Sequence, residues 1–128
     1  MAEAAVTLRE VGKTFHTAAE ELTILAGIDL TVERGVALGI TGESGSGKST
    51  LLSIIAGLDR PSRGEVYLER SRLNVLSEED LSRLRAKSVG FVFQFHHLLK
   101  DFTALENVML PGLMVGGERK PLESRARE

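Results

Sequence analysis

Val6, Leu8 and Val11 alternate with polar neighbours near the start of the chain. This is the two-residue period of a strand with one buried face. The segment 12–16, GKTFH, reads as the turn that ends it, and the small, polar stretch 17–21 as a loop. Ile28, Leu30 and Val32 alternate again and predict a second strand, closed by the turn residues Glu33, Arg34 and Gly35. The run VALGI at 36–40 is apolar almost throughout, which predicts a strand buried on both faces. Residues 49–57 have helical composition, with Gly57 as the stop and Pro61 preventing continuation. Val66 and Leu68 predict another strand, and 89–93 a further buried one.

Capping residues place the remaining helices. Ser77 stands before Glu78, Glu79 and Asp80 and predicts a helix to about Ala86. Thr103 and Glu106 form a capping-box pair that opens a helix toward Met109. Gly116 and Gly117 break that pattern, and Pro121 fits the first position of a last helix, where its missing N–H costs nothing. That helix carries no stop signal before residue 128, a pattern that a natural terminus and a truncation explain equally well.

Composition narrows the class. The chain has 128 residues, enough for one core, with 42% hydrophobic and 27% charged residues, as in ordinary globular proteins. Sixteen basic and eighteen acidic residues leave a net charge of −2. No global basic field draws nucleic acid or an acidic membrane, so nucleic acid is not an expected partner. The absence of cysteine removes disulfides and thiolate metal sites. The longest apolar stretch, 51–58, is far short of the about twenty residues that a membrane span needs. Any service to a membrane would run through a partner.

The chemistry is concentrated in TGESGSGKST at 41–50. Gly42, four residues, then Gly47, Lys48 and Ser49 satisfy the Walker A spacing. Glycines at 42, 45 and 47 allow backbone angles that a side chain forbids, so successive N–H groups can point into one concavity and hold phosphate oxygens. A helix starting near Ser49 adds its positive end to the same place. Lys48 can reach the β- and γ-phosphates, and Ser49 offers a hydroxyl to Mg²⁺. The candidate nucleotide contacts are Gly42, Glu43, Ser44, Gly45, Ser46, Gly47, Lys48, Ser49 and Thr50, with ATP and Mg²⁺ as ligands. The side chain of Glu43 reads more simply as solvated. The adjacent His96 and His97 are a poor metal site, since neighbours rarely chelate one ion.

With that loop in its context, GESGSGKSTLL at 42–52 followed by GLDRPSRG at 57–64, and with VGFVFQ at 89–94, the chain resembles the ATP-binding subunits of ATP-binding-cassette transporters. The stretch 94–108, QFHHLLKDFTALENV, is similar to the lipoprotein-releasing (LolD-type) ATPases of Gram-negative bacteria, with Lys100 where that group usually has proline. The resemblance implies an α/β fold of the P-loop NTPase type, incomplete, with an N-terminal antiparallel β element. It implies a partial nucleotide-binding core over 1–94 and the start of a helical subdomain over 95–128. It makes Phe15 the aromatic that stacks on the base, where the family usually has tyrosine. It makes Gln94 the Q-loop residue that contacts Mg²⁺ and the attacking water, so Lys48 and Gln94 are the catalytic candidates and Ser49 and Gln94 the metal candidates. The implied partners are transmembrane permease subunits and a second ATP-binding subunit, at the cytoplasmic face of an inner membrane. The segment after Gln94, with Leu98 and Leu99, would face the permease.

The family's signature sequence, its Walker B strand with a catalytic glutamate, and its switch histidine have no counterpart here, and His96 and His97 are not candidates for the last. Three readings therefore stand. The chain is the first part of an ATPase that powers lipoprotein release, or of one serving macrolide export or cell division. It binds nucleotide or partner without turnover. Or it is a remnant without function. The resemblance also leaves 36–40 without the strands that flank it in the family. Unpaired buried backbone groups cost roughly 1–3 kcal/mol each, against a whole-domain margin of about 5–15 kcal/mol. The isolated chain is thus expected to be marginal and prone to self-association.

Overall fold

The computed structural model describes residues 3–128. They form two compact units, divided between Leu81 and Ser82. The first unit is built on a four-stranded antiparallel sheet in the order β2-β1-β3-β4. Its strands are β1 (Ala4–His16), β2 (Glu21–Glu33), β3 (Arg63–Leu68) and the short β4 (Ser71–Arg72). Helix α1 (Lys48–Ile55) lies between β2 and β3 in sequence and packs on β3. Leu8, Val11, Leu25 and Val66 from the sheet are buried, as are Ile54, Ala56, Leu73 and Leu81.

Alternation alone does not produce this core. Leu8 and Val11 are three residues apart and would face opposite sides of a regular strand. A break in register between them, with Glu10 at φ 47°, inserts the extra residue that turns both inward. Asp29 Oδ1 accepts the Glu10 N–H at 2.9 Å and so satisfies a donor that the bulge takes out of the ladder.

Residues 12–16 are strand rather than turn. Lys13 pairs with Leu25, Thr14 with Thr23, Phe15 with Leu22 and His16 with Glu21. The reversal comes only at 17–20, where the Thr17 N–H donates to Glu20 O at 2.9 Å. Cross-strand pairing outweighs the local turn signal of Gly12.

The segment 36–40 forms no ladder, and its Val36 and Leu38 are about half exposed (53% and 50%). A strand exists only through partners, and among the described residues none pairs with it. The same holds at 89–93. Those residues have no regular structure, and the Phe91 and Phe93 rings meet at 4.6 Å without a ladder.

The second unit carries α3 (Ala104–Met114) and α4 (Arg119–Ala126), and α2 (Glu78–Ser88) crosses the division. The capping box at the start of α3 is complete. Thr103 Oγ1 accepts the Glu106 N–H at 3.1 Å, and Glu106 Oε1 accepts the Thr103 N–H at 3.0 Å. Helix α3 runs five residues past Met109, through Pro111. Gly112 lets it approach α4, because a β-carbon there would strike Leu122. Pro121 is the third residue of α4, not the first, and is still within the turn whose N–H groups lack intrahelical acceptors.

Candidate functional site

The segment 41–47 leads into α1 without regular structure. It turns at Ser44 and Gly45, where the Ser46 N–H donates to Glu43 O at 3.1 Å. Gly47 is the residue before α1, at φ 98°. A β-carbon there would be strained by that angle and would lie 3.0 Å from side-chain atoms of both Ile24 and Leu25. Glycine thus serves two needs at one position. It turns the chain into the helix, and it seats the loop against β2.

The helix that follows presents its N-terminus openly. No side chain caps α1, and its first turn holds no acid. The first bond of the helical ladder runs from the Leu51 N–H to Gly47 O at 2.9 Å. The N–H groups of Lys48, Ser49 and Thr50 precede that ladder and add to the positive end of the helix dipole. Such an end accepts an anion without further arrangement.

Lys48 completes the cradle. Its Nζ donates to Gly42 O at 2.7 Å, to Glu43 O and to Ser46 Oγ at 3.2 Å. All three acceptors are neutral, so the ammonium keeps its charge available to an anion. The structure therefore brings Gly42, Glu43, Ser46, Gly47 and Lys48 into one loop, with Ser44 and Gly45 exposed at its tip. Ser49 and Thr50 stand in the first turn of α1, Ser49 exposed. Glu43 takes part through its carbonyl oxygen. Gly42 has no positive φ, so its role differs from that expected. A β-carbon there would lie 2.7 Å from Ser46 Oγ, one of the oxygens that hold Lys48.

Phe15 is 42% exposed near the end of β1. It lies two residues beyond Lys13, whose ladder partner Leu25 touches Gly47. At about 3.3 Å per strand residue, Phe15 stands on the order of 7 Å further along β1 than Lys13. Gln94 lies at a bend in the second unit, exposed. The His97 ring meets Phe93 at a tilt of 49°, with ring centroids 4.5 Å apart.

Two partners of this site were not legible as such. Lys13 Nζ donates to Asp59 Oδ1 at 3.0 Å and to Arg60 O at 2.7 Å, and lies over the Phe15 ring at 5.1 Å. Both residues occur in recognisable stretches, but nothing local in the sequence pairs positions 46 residues apart.

A family model described as ABC transporter matches residues 25–128. The chain is 44% identical over 126 residues to the lipoprotein-releasing system ATP-binding protein LolD of Treponema denticola, covering 98% of this chain and 56% of that one. It is 51% identical over 109 residues to the protein of the same name from Bdellovibrio bacteriovorus, covering 85% and 49%. Among solved structures, it matches a dimeric ATP-binding cassette in a post-hydrolysis state, bound to ADP and Pi, with a TM-score of 0.91 at 39% identity. That match covers 95% of this chain and 54% of the other. The chain thus spans about half the length of the relatives it matches.

Proposed function

Because this chain belongs to the ABC transporter family, we propose that its loop at 41–50 binds the phosphates of ATP for an ATP-binding subunit of the lipoprotein-releasing type. The observation that carries this reading is the seating of Lys48. Its ammonium is held by three neutral oxygens of the loop, directly before an uncapped helix N-terminus. That arrangement concentrates positive potential where a polyphosphate would lie.

The roles follow from position. N–H groups at 45–50 would cradle the phosphates, and Lys48 would move from the loop oxygens to the β- and γ-phosphates. Ser49 fits Mg²⁺ by chemistry, since it is an exposed hydroxyl, a hard oxygen donor, on the first turn of α1. Bound there, Mg²⁺ would neutralise phosphate charge. Gln94 would complete the Mg²⁺ and water contacts, and Phe15 would stack on the base. In this reading 1–94 serve nucleotide binding and 95–128 begin the helical subdomain. Hydrolysis powering lipoprotein release is proposed for the whole protein, and rests on the names of the relatives that match most of this chain. A second ATP-binding subunit is the proposed partner because the matched cassette is dimeric. Transmembrane permease subunits are the other proposed partners, at the cytoplasmic face of an inner membrane, a reading that rests on the names of the same relatives.

The test is Lys48→Ala, with ATP affinity measured by titration of a fluorescent analogue and fold checked by circular dichroism. Removing charge-assisted hydrogen bonds to phosphate is expected to weaken binding about 10- to 100-fold. Unchanged affinity in a folded variant would sink the assignment.

A further inference from the structure

We propose that Lys13 is a positioning residue that holds the base-stacking ring of Phe15 at a set place relative to the phosphate loop. The inference rests on the reading above, in which Phe15 receives the base of a nucleotide. Its starting point is a contrast in exposure. The Lys13 side chain is only 14% exposed, whereas Phe15 is 42% exposed. An ammonium withdrawn from water needs partners. Lys13 finds Asp59 Oδ1 at 3.0 Å and Arg60 O at 2.7 Å.

Those partners belong to the turn that follows α1. The N–H groups of Leu58 and Asp59 both return to Ser53 O, at 2.8 and 3.2 Å, which fastens the turn to the helix. Arg60 is itself tied down. Its Nε donates to Glu78 Oε1 at 3.0 Å, and its Nη2 to Leu76 O at 2.8 Å. The hairpin of β1 and β2 therefore meets the loop-and-helix element at both ends of α1. Leu25 touches Gly47 at the start, and Lys13, its ladder partner, grips the turn at the finish. The backbone on either side of Lys13 is also tied to Ser62, whose N–H donates to Gly12 O at 2.8 Å and whose Oγ accepts the Thr14 N–H at 2.9 Å, so Lys13 adds a side-chain tie to a stretch whose backbone is already placed.

The same ammonium lies over the Phe15 ring at 5.1 Å from its centroid. A cation there is attracted to the ring face. It occupies one side of the ring and leaves the other to a flat, electron-rich base. Lys13 thereby links base recognition to the phosphate site without touching the ligand.

The experiment compares ATP with inorganic tripolyphosphate, which has the phosphates and no base, by calorimetric titration of the full chain with Mg²⁺ present. Lys13→Met is expected to weaken ATP about three- to tenfold and to leave tripolyphosphate affinity within about twofold. Phe15→Ala is expected to show the same pattern, the double variant to be no worse than Phe15→Ala alone, and Lys13→Arg to recover most of the loss. Equal weakening of both ligands by Lys13→Met would overturn the proposal, because the loss would then lie in the loop. So would unchanged ATP binding by Lys13→Met when Phe15→Ala has lost it. If Phe15→Ala leaves ATP affinity intact, the base-stacking reading fails and this inference falls with it. Should Lys13→Met unfold, Asp59→Asn keeps the cation and the Arg60 carbonyl, and must show a smaller loss confined to ATP.

Discussion

Gly64 stands in β3 at φ 83°, with the carbonyl oxygens of Arg9 and Glu10 where a β-carbon would go. Backbone cannot swing aside as a side chain can, so Gly64→Ala combines an unfavourable angle with a clash against the β1 bulge. We expect a loss of about 3 kcal/mol or more. Gly27 also has positive φ, at 60°, but a β-carbon there meets nothing within 4 Å. Gly27→Ala should therefore cost only the angle, about 1–2 kcal/mol. Urea unfolding of both variants checks this, and equal costs would show that the close approach is relieved cheaply. The same scale shows what local reading can and cannot reach. Gly47, Lys48 and Ser49 are contiguous, so the loop and the helix start they form are legible from spacing alone. Lys13 and Asp59 meet only because β1 and the turn after α1 are folded together.

Helices were legible at the level of elements because their start signals are local. The Thr103–Glu106 box occupies four residues and forms as its spacing requires. Asn107, one residue on, carried no such signal. Its Oδ1 accepts the Leu99 N–H at 2.8 Å, and its Nδ2 donates to Thr103 O at 2.9 Å, tying 99–103 to α3. The box also makes a pH prediction. The Thr103 N–H, and then its side chain, hold the Glu106 carboxyl below its ordinary value of 4.5. A folded-state pKa below the unfolded one stabilises the helix end fully above the unfolded value, and the gain is lost as pH falls through the folded value. Amide protection at the start of α3, measured relative to the intrinsic exchange rate at each pH, should fall below about pH 4.5, and Glu106→Gln, which keeps an acceptor but does not titrate, should flatten that dependence. An unaltered profile in the variant would place the titration elsewhere.

Strands were legible only where partners are present in the described residues. The 28–32 alternation became β2, but its two ends run further than alternation showed, because pairing with β1 extends them. The run at 36–40 has strand composition and no ladder. At the scale of the whole molecule this leaves Val36 and Leu38 exposed in the first unit, and Val92 and Phe93 in the second. Exposed apolar segments without a ladder partner recruit other chains. Sedimentation velocity of the chain should show concentration-dependent self-association, reduced by Leu38→Lys. A monomer at all concentrations with one sharp melt would contradict this.

What the sequence determined by itself is what contiguous residues can specify: the glycine-rich loop at 41–47, the caps of α2 and α3, the alternation of β2, and through such motifs the family. What the tertiary structure decided is everything that depends on distance along the chain. It placed Leu8 and Val11 on one face by a bulge braced from Asp29. It continued β1 through Phe15 by pairing it with β2. It also joined Lys13 to the turn that follows α1. The physical reason is the same in each case. Backbone angles and caps act within a few residues, whereas ladders, buried cations and close approaches need partners that only folding brings together.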